Sequence, residues 1–118
     1  MSNFQTAIRW FPEPVRHVLG SAVTAGLYIP IGGPLLHPAR QFLIWNLTNQ
    51  TLMFSFDGIT DHFPLPGSSF FLDDVTSNAA LSKGLMLAQG ETLYVKRLSP
   101  LVPTGDVYFS VFYATDGQ

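Results

Sequence analysis

Asp57, Asp61 and His62 fall within one short stretch, FSFDGITDHFPLP, from Phe54 to Pro66. Two carboxylates and an imidazole this close together could hold a divalent cation or move a proton. The same residues could equally shape a turn. Asp57-Gly58 directly follows an alternating apolar segment, where glycine accepts a positive φ and aspartate bonds its own backbone. A metal needs at least three converging ligands. Asp73 and Asp74 are neighbours on the next expected strand, so they point to opposite faces and at most one could reach the loop. The calcium-loop spacing of an EF-hand is absent. The reading is a polar hairpin turn, with no metal.

Other constellations are weaker. His17, His37 and His62 are scattered and show no zinc-ligand spacing. No GxSxG elbow accompanies the serines. Gly32-Gly33-Pro34 lacks the lysine and hydroxyl of a phosphate loop, and Pro34 removes an amide donor; it reads as a turn. Asn46-Leu47-Thr48 and Asn49-Gln50-Thr51 match the glycosylation sequon, which matters only in a secretory pathway. Lys96-Arg97 reads as a solvated strand end. The expectation is no catalytic residue and no cofactor.

The segments around these residues are β in character. Gln41–Leu47, Leu52–Asp57, Ser69–Val75, Thr92–Leu98 and Val107–Ala114 are short runs of strand formers, punctuated by Gly, Pro, Asn and Asp. Ala22–Ile31 is a sixth, interrupted by Gly26 and Pro30 and so suited to an edge. Val107–Ala114 is apolar on both faces, which places it centrally or at an interface. Asn78–Ala88 could form a helix, with Leu81 and Leu85 four apart, although Gly84 weakens it. No amphipathic helix separates the strands, which disfavours a parallel α/β fold. The expected fold is all-β: an antiparallel β-sandwich, jelly-roll-like. Residues 1–20 carry Pro12 and Pro14 with no period, and read as an extended N-terminal arm on a 21–118 sandwich domain. Trp10, Phe11, Val15, Val18 and Leu19 make the arm too apolar for a solvated tail, so it should pack on something.

Composition narrows the function. The chain has 118 residues, about one domain, of which 47% are hydrophobic and 12% charged. That charged share is roughly half the usual ~25%. With 10 Phe, 4 Tyr and 2 Trp, it suggests apolar surface buried against other protein. A net charge of −2 with 6 Lys plus Arg argues against nucleic acid. The absence of cysteine removes disulfides and thiolate chemistry. No apolar run is long enough to span a bilayer, and the N-terminus is a poor signal peptide. A soluble, unprocessed chain with no membrane partner is the expectation. Trp45 and neighbouring aromatics could stack on a sugar, but such residues more often fill a core or an interface.

Four motifs carry a resemblance: IGGPLLHPAR (Ile31–Arg40), NLT (Asn46–Thr48), FSFDG (Phe54–Gly58) and TGDVY (Thr104–Tyr108). In this order, over Leu27–Ala114, the chain resembles small virion structural proteins of tailed bacteriophages. The resemblance implies a β-sandwich subunit on a phage capsid exterior, made in the host bacterial cytoplasm. It further implies a cement or decoration protein that clamps neighbouring capsid subunits. Its partners would be the major capsid protein and itself as a symmetric homo-oligomer. Trp10 and Phe11 in the arm, with Tyr108 and Phe112 on the last strand, are the expected contact residues. A head–tail connector or tail component, and a carbohydrate-binding sandwich, are the alternatives.

Overall fold

The computed structural model describes residues 9–74 and 88–115. Among these residues, nine strands form two antiparallel sheets packed face to face, a β-sandwich. The strands are β1 Arg9–Pro12, β2 Arg16–Leu19, β3 Ile29–Pro30, β4 Gln41–Thr48, β5 Leu52–Ser55, β6 Phe63–Leu65, β7 Ser69–Asp74, β8 Tyr94–Arg97 and β9 Gly105–Thr115. The larger sheet runs β1-β9-β4-β7, with β2 also on β9. The smaller runs β3-β8-β5-β6. Apart from the β1–β2 step and the β5–β6 hairpin, each connection carries the chain from one sheet to the other.

Alternation explains the packing. Phe42, Ile44, Asn46 and Thr48 of β4 are buried, and so are Val107, Phe109 and Val111 of β9. From the smaller sheet, Leu52, Phe54, Leu65 and Val95 close the core. Val23, Ile31, Leu35, Ala39 and Leu93 seal it from the connecting segments. The period of two puts every second residue of a strand on the inner face, so the register of one strand pair fixes the whole layer.

The residues expected as a separate N-terminal arm are, from Arg9 to Leu19, an edge of the larger sheet. β1 pairs with Phe112–Thr115 and β2 with Asp106–Phe109 of the same strand. Between Pro12 (opposite Phe112) and Arg16 (opposite Phe109) this edge holds one residue more than β9, a bulge. Pro12 and Pro14, which argued against a strand, sit at and beside that bulge, where a missing N–H costs no ladder bond. The bulge turns Glu13 inward, and its N–H donates to Val111 O at 2.9 Å.

Three further expectations differ. Of Ala22–Ile31, only Ile29–Pro30 is a strand, with an isolated bridge at Ala25 to Arg97. Gly26 at φ 82° breaks the extended run. Phe63–Leu65 is a strand despite Pro64, because β6 is the outermost strand of its sheet. Lys96 and Arg97 are not a solvated strand end. Lys96 Nζ meets Asp61 at 3.0 Å and lies over the Tyr28 ring, while Arg97 donates to the carbonyls of Val23 and Ser99. The helix expected over Asn78–Ala88 falls, but for Ala88, outside the described residues, as does Val75 of the third expected strand.

Candidate functional site: the outward face of the larger sheet

In the loop after β5, the three residues that could have formed a chemical site hold three different things. Asp57 Oδ1 accepts the N–H groups of Ile59 and Thr60, each at 2.8 Å, and the Ser55 hydroxyl at 2.8 Å. Ser55 Oγ in turn accepts the Asp57 and Gly58 amides. This is an aspartate-capped turn, and Gly58 at φ 78° supplies its left-handed residue. The backbone donors of Thr60 and Ile59 hold the Asp57 carboxyl well below its ordinary range. Asp61 accepts from the Tyr28 hydroxyl and pairs with Lys96, which lowers its pKa; burial and the same carboxylate push the Tyr28 phenol up. His62 Nδ1 accepts the Phe56 amide at 2.9 Å. Among the described residues, no group of three His, Cys, Asp or Glu is placed to hold a metal.

Among the described residues, Glu13 is the one buried carboxylate, with a side chain only 1% exposed. Oε1 accepts from Arg16 Nη2 at 2.8 Å and from the Leu36 amide at 3.3 Å, and Oε2 from His37 Nδ1 at 2.9 Å. An ionised carboxylate only accepts, so His37 carries a proton on Nδ1. Arg16 also donates to the Gly33 and Pro34 carbonyls, and His37 lies flat on Tyr113, with ring centroids 3.6 Å apart. The cluster fastens the bulge to the loop before β4. Burial alone would raise the Glu13 pKa, but the Arg16, His37 and Leu36 bonds together outweigh it and leave the pKa lowered. A carboxyl with a lowered folded pKa adds stability above its unfolded pKa, and that stability fades as pH falls through the folded value. The melting temperature should therefore fall as pH drops from about 5 to about 3. In Glu13→Gln, which starts lower, that decline should be visibly shallower; calorimetry across this range checks both.

The sequon at Asn46 is closed by the fold. Asn46 is fully buried, and its Nδ2 donates to the carbonyls of Gln50 (2.9 Å), Leu65 (2.8 Å) and Pro66 (3.2 Å). A glycan could not be attached there in the folded chain.

What the structure leaves exposed is a face. The outward parity of the larger sheet holds Leu43, Trp45 and Leu47 of β4 and Phe70 and Leu72 of β7, with Tyr108 and Phe112 of β9 beside them. Trp45 is 37% exposed, Leu47 47%, and Phe70 and Leu72 each 56%. Trp45 and Phe70 are cross-strand partners with ring centroids 5.2 Å apart. Gln41 and Asp74 share this parity at one end and Ser110 lies between Tyr108 and Phe112, while at the other end His17 Nε2 lies 3.3 Å from Asp106 and its ring stacks on Tyr108. Three strands at ~4.8 Å spacing and about six residues at ~3.4 Å make a patch on the order of 300 Å². A largest apolar patch of that order is often functional.

Of the four residues named from sequence as contacts, Tyr108 and Phe112 lie on this face. Phe11 has the opposite parity and stacks on Tyr113. Trp10 pairs through its backbone with Ala114. Leu43, Trp45, Leu47, Phe70 and Leu72 were not singled out as contacts. Their signal was present, since QFLIWNL is apolar at both parities, like the last strand. No protein-family model, curated protein or solved structure matches this chain.

Proposed function

We propose that the chain is a structural subunit of a tailed-bacteriophage particle, a capsid cement or decoration protein that binds the capsid exterior and works as a symmetric homo-oligomer. The observation that carries this reading is the cluster of exposed apolar side chains, Trp45, Leu47, Phe70 and Leu72, on the outward face of the larger sheet, with its charged residues toward the ends. An antiparallel sheet with one face on the core normally turns a polar face to water. Here both faces are built to be covered. The resemblance of the four motifs to small phage virion proteins supplies the class of partner, the major capsid protein, and the jelly-roll-like arrangement belongs to the same reading.

The test is quantitative mass spectrometry of purified particles from the phage or prophage that encodes the chain. Copies in the hundreds, in simple proportion to the capsid protein, are expected. A copy number of about a dozen would move the subunit to the connector or tail, where rings set the count. Absence from the particle would overturn the reading.

A further inference from the structure

Where β6 and β7 end their respective sheets, a cavity of about 450 Å³ opens between the layers. Four phenylalanines line it: Phe42 and Phe71 from the larger sheet, Phe63 from β6, and Phe56 just after β5. Their rings form a closed circuit. Centroids lie 5.9 Å apart for Phe42–Phe71, 5.2 Å for Phe71–Phe63, 5.8 Å for Phe63–Phe56 and 6.3 Å for Phe56–Phe42. Phe42 is fully buried, so the cavity reaches the core.

Pro64, Leu65 and two polar side chains complete the lining. Asp73 is opposite Phe42 in the β4–β7 register, on the same parity as Phe71, and therefore faces the space between the sheets. Its carboxylate makes no hydrogen bond or ion pair with any described residue, unlike Asp57, Asp61 and Glu13. His62 contributes a neutral dipole: its Nδ1 accepts the Phe56 amide, which leaves the proton on Nε2. A full unpaired charge outweighs that dipole, so the polar part of the site favours a cation.

We propose that this cavity binds a small amphiphilic cation, an aromatic or branched-alkyl primary amine. The apolar body fills the space among the phenylalanines and the ammonium meets Asp73. The volume lies within the range of small-molecule pockets. Apolar walls with one charged group give orientation as well as affinity, and the phenyl faces add attraction for the cation. This site is separate from the outward face, on the other side of the larger sheet, so its failure would leave the capsid reading untouched.

The test titrates the isotope-labelled full chain with phenethylamine, phenethyl alcohol and hydrocinnamate at neutral pH, following amide shifts by NMR. Saturable shifts are expected at Phe56, His62, Phe71 and Asp73, with the amine binding about fivefold more tightly than the alcohol. In Asp73→Asn the two should agree within about twofold, while the alcohol is unchanged. Phe71→Ala should weaken both about tenfold. The Asp73 variant removes no core contact, so it decides the question even if Phe71→Ala fails to fold. No saturable shift with any probe, shifts that map elsewhere, or a preference for the amine that survives in Asp73→Asn would each overturn the proposal.

Discussion

Asn46→Leu is expected to lower the unfolding free energy by about 3–5 kcal/mol, the loss typical of a broken buried network. Leucine has the same branching and is no smaller than asparagine, so this is not a cavity effect. The loss comes from the groups left behind. The Leu65 carbonyl loses its side-chain donor, the Thr48 amide and hydroxyl lose the Asn46 Oδ1 that accepts both, and the Gln50 and Pro66 carbonyls lose one of two donors, keeping the Thr48 and Ser69 hydroxyls. Each buried group without a partner costs about 1–3 kcal/mol. Those carbonyls belong to two separate turns, the one joining β4 to β5 and the one joining β6 to β7. One amide therefore ties the sheets together at this end of the sandwich. Asn46→Asp should be no better, since its second oxygen would face carbonyls where a donor is required. Urea unfolding measures both, and a loss below about 1 kcal/mol in Asn46→Leu would mean the network is not holding that end.

Gly105→Ala is expected to cost about 3 kcal/mol or more, enough to prevent folded protein from accumulating if the domain is marginal. Gly105 opens β9 at φ 100°, a conformation that penalises any Cβ. A Cβ there would lie 2.1 Å from the Leu47 carbonyl oxygen and 3.1 Å from Thr48 Cα. Those atoms are backbone of the paired strand β4, so they cannot yield without breaking the Thr48–Gly105 pairing. Gly33→Ala is the contrast: a Cβ there meets nothing within 4 Å and the backbone carries no positive φ. It should stay within about 0.5 kcal/mol of the parent in the same assay.

Asn46 and Gly105 also show what was legible in the sequence. Both fall in motifs that stand out in the sequence, NLT and TGDVY, and both are joints of the fold. FSFDG behaves alike, as the Asp57 turn, and IGGPLLHPAR contributes Leu35 and Ala39 to the core and His37 to Glu13. The motifs describe how the sandwich is held, which is why they named no chemistry. The antiparallel sandwich was readable because the central strands alternate or run apolar between strong turn signals. The edges were not. β1, β2 and β6 contain or adjoin prolines, and local propensity cannot foresee that β9 has a free edge on which residues 9–19 can lie. Glu13 was missed for a related reason: between two prolines it looks like loop, and only the bulge reveals that it points inward. The outward face was half legible. Double-sided apolarity is visible in β9, but only the pairing of β4 between β9 and β7 collects Trp45, Leu47, Phe70 and Leu72 beside it.

The central claim is that this outward face is what the subunit uses to hold the particle. The most direct measurement is co-sedimentation of the double variant Trp45→Ser, Phe70→Ser with particles lacking the native chain, beside the parent protein. Both side chains are exposed and touch each other more than the core, so the variant should fold, which circular dichroism and a melting curve would verify. The account predicts a loss of particle affinity of at least about a hundredfold, as for two central aromatic hot spots. A folded variant that sediments with particles as well as the parent would contradict it.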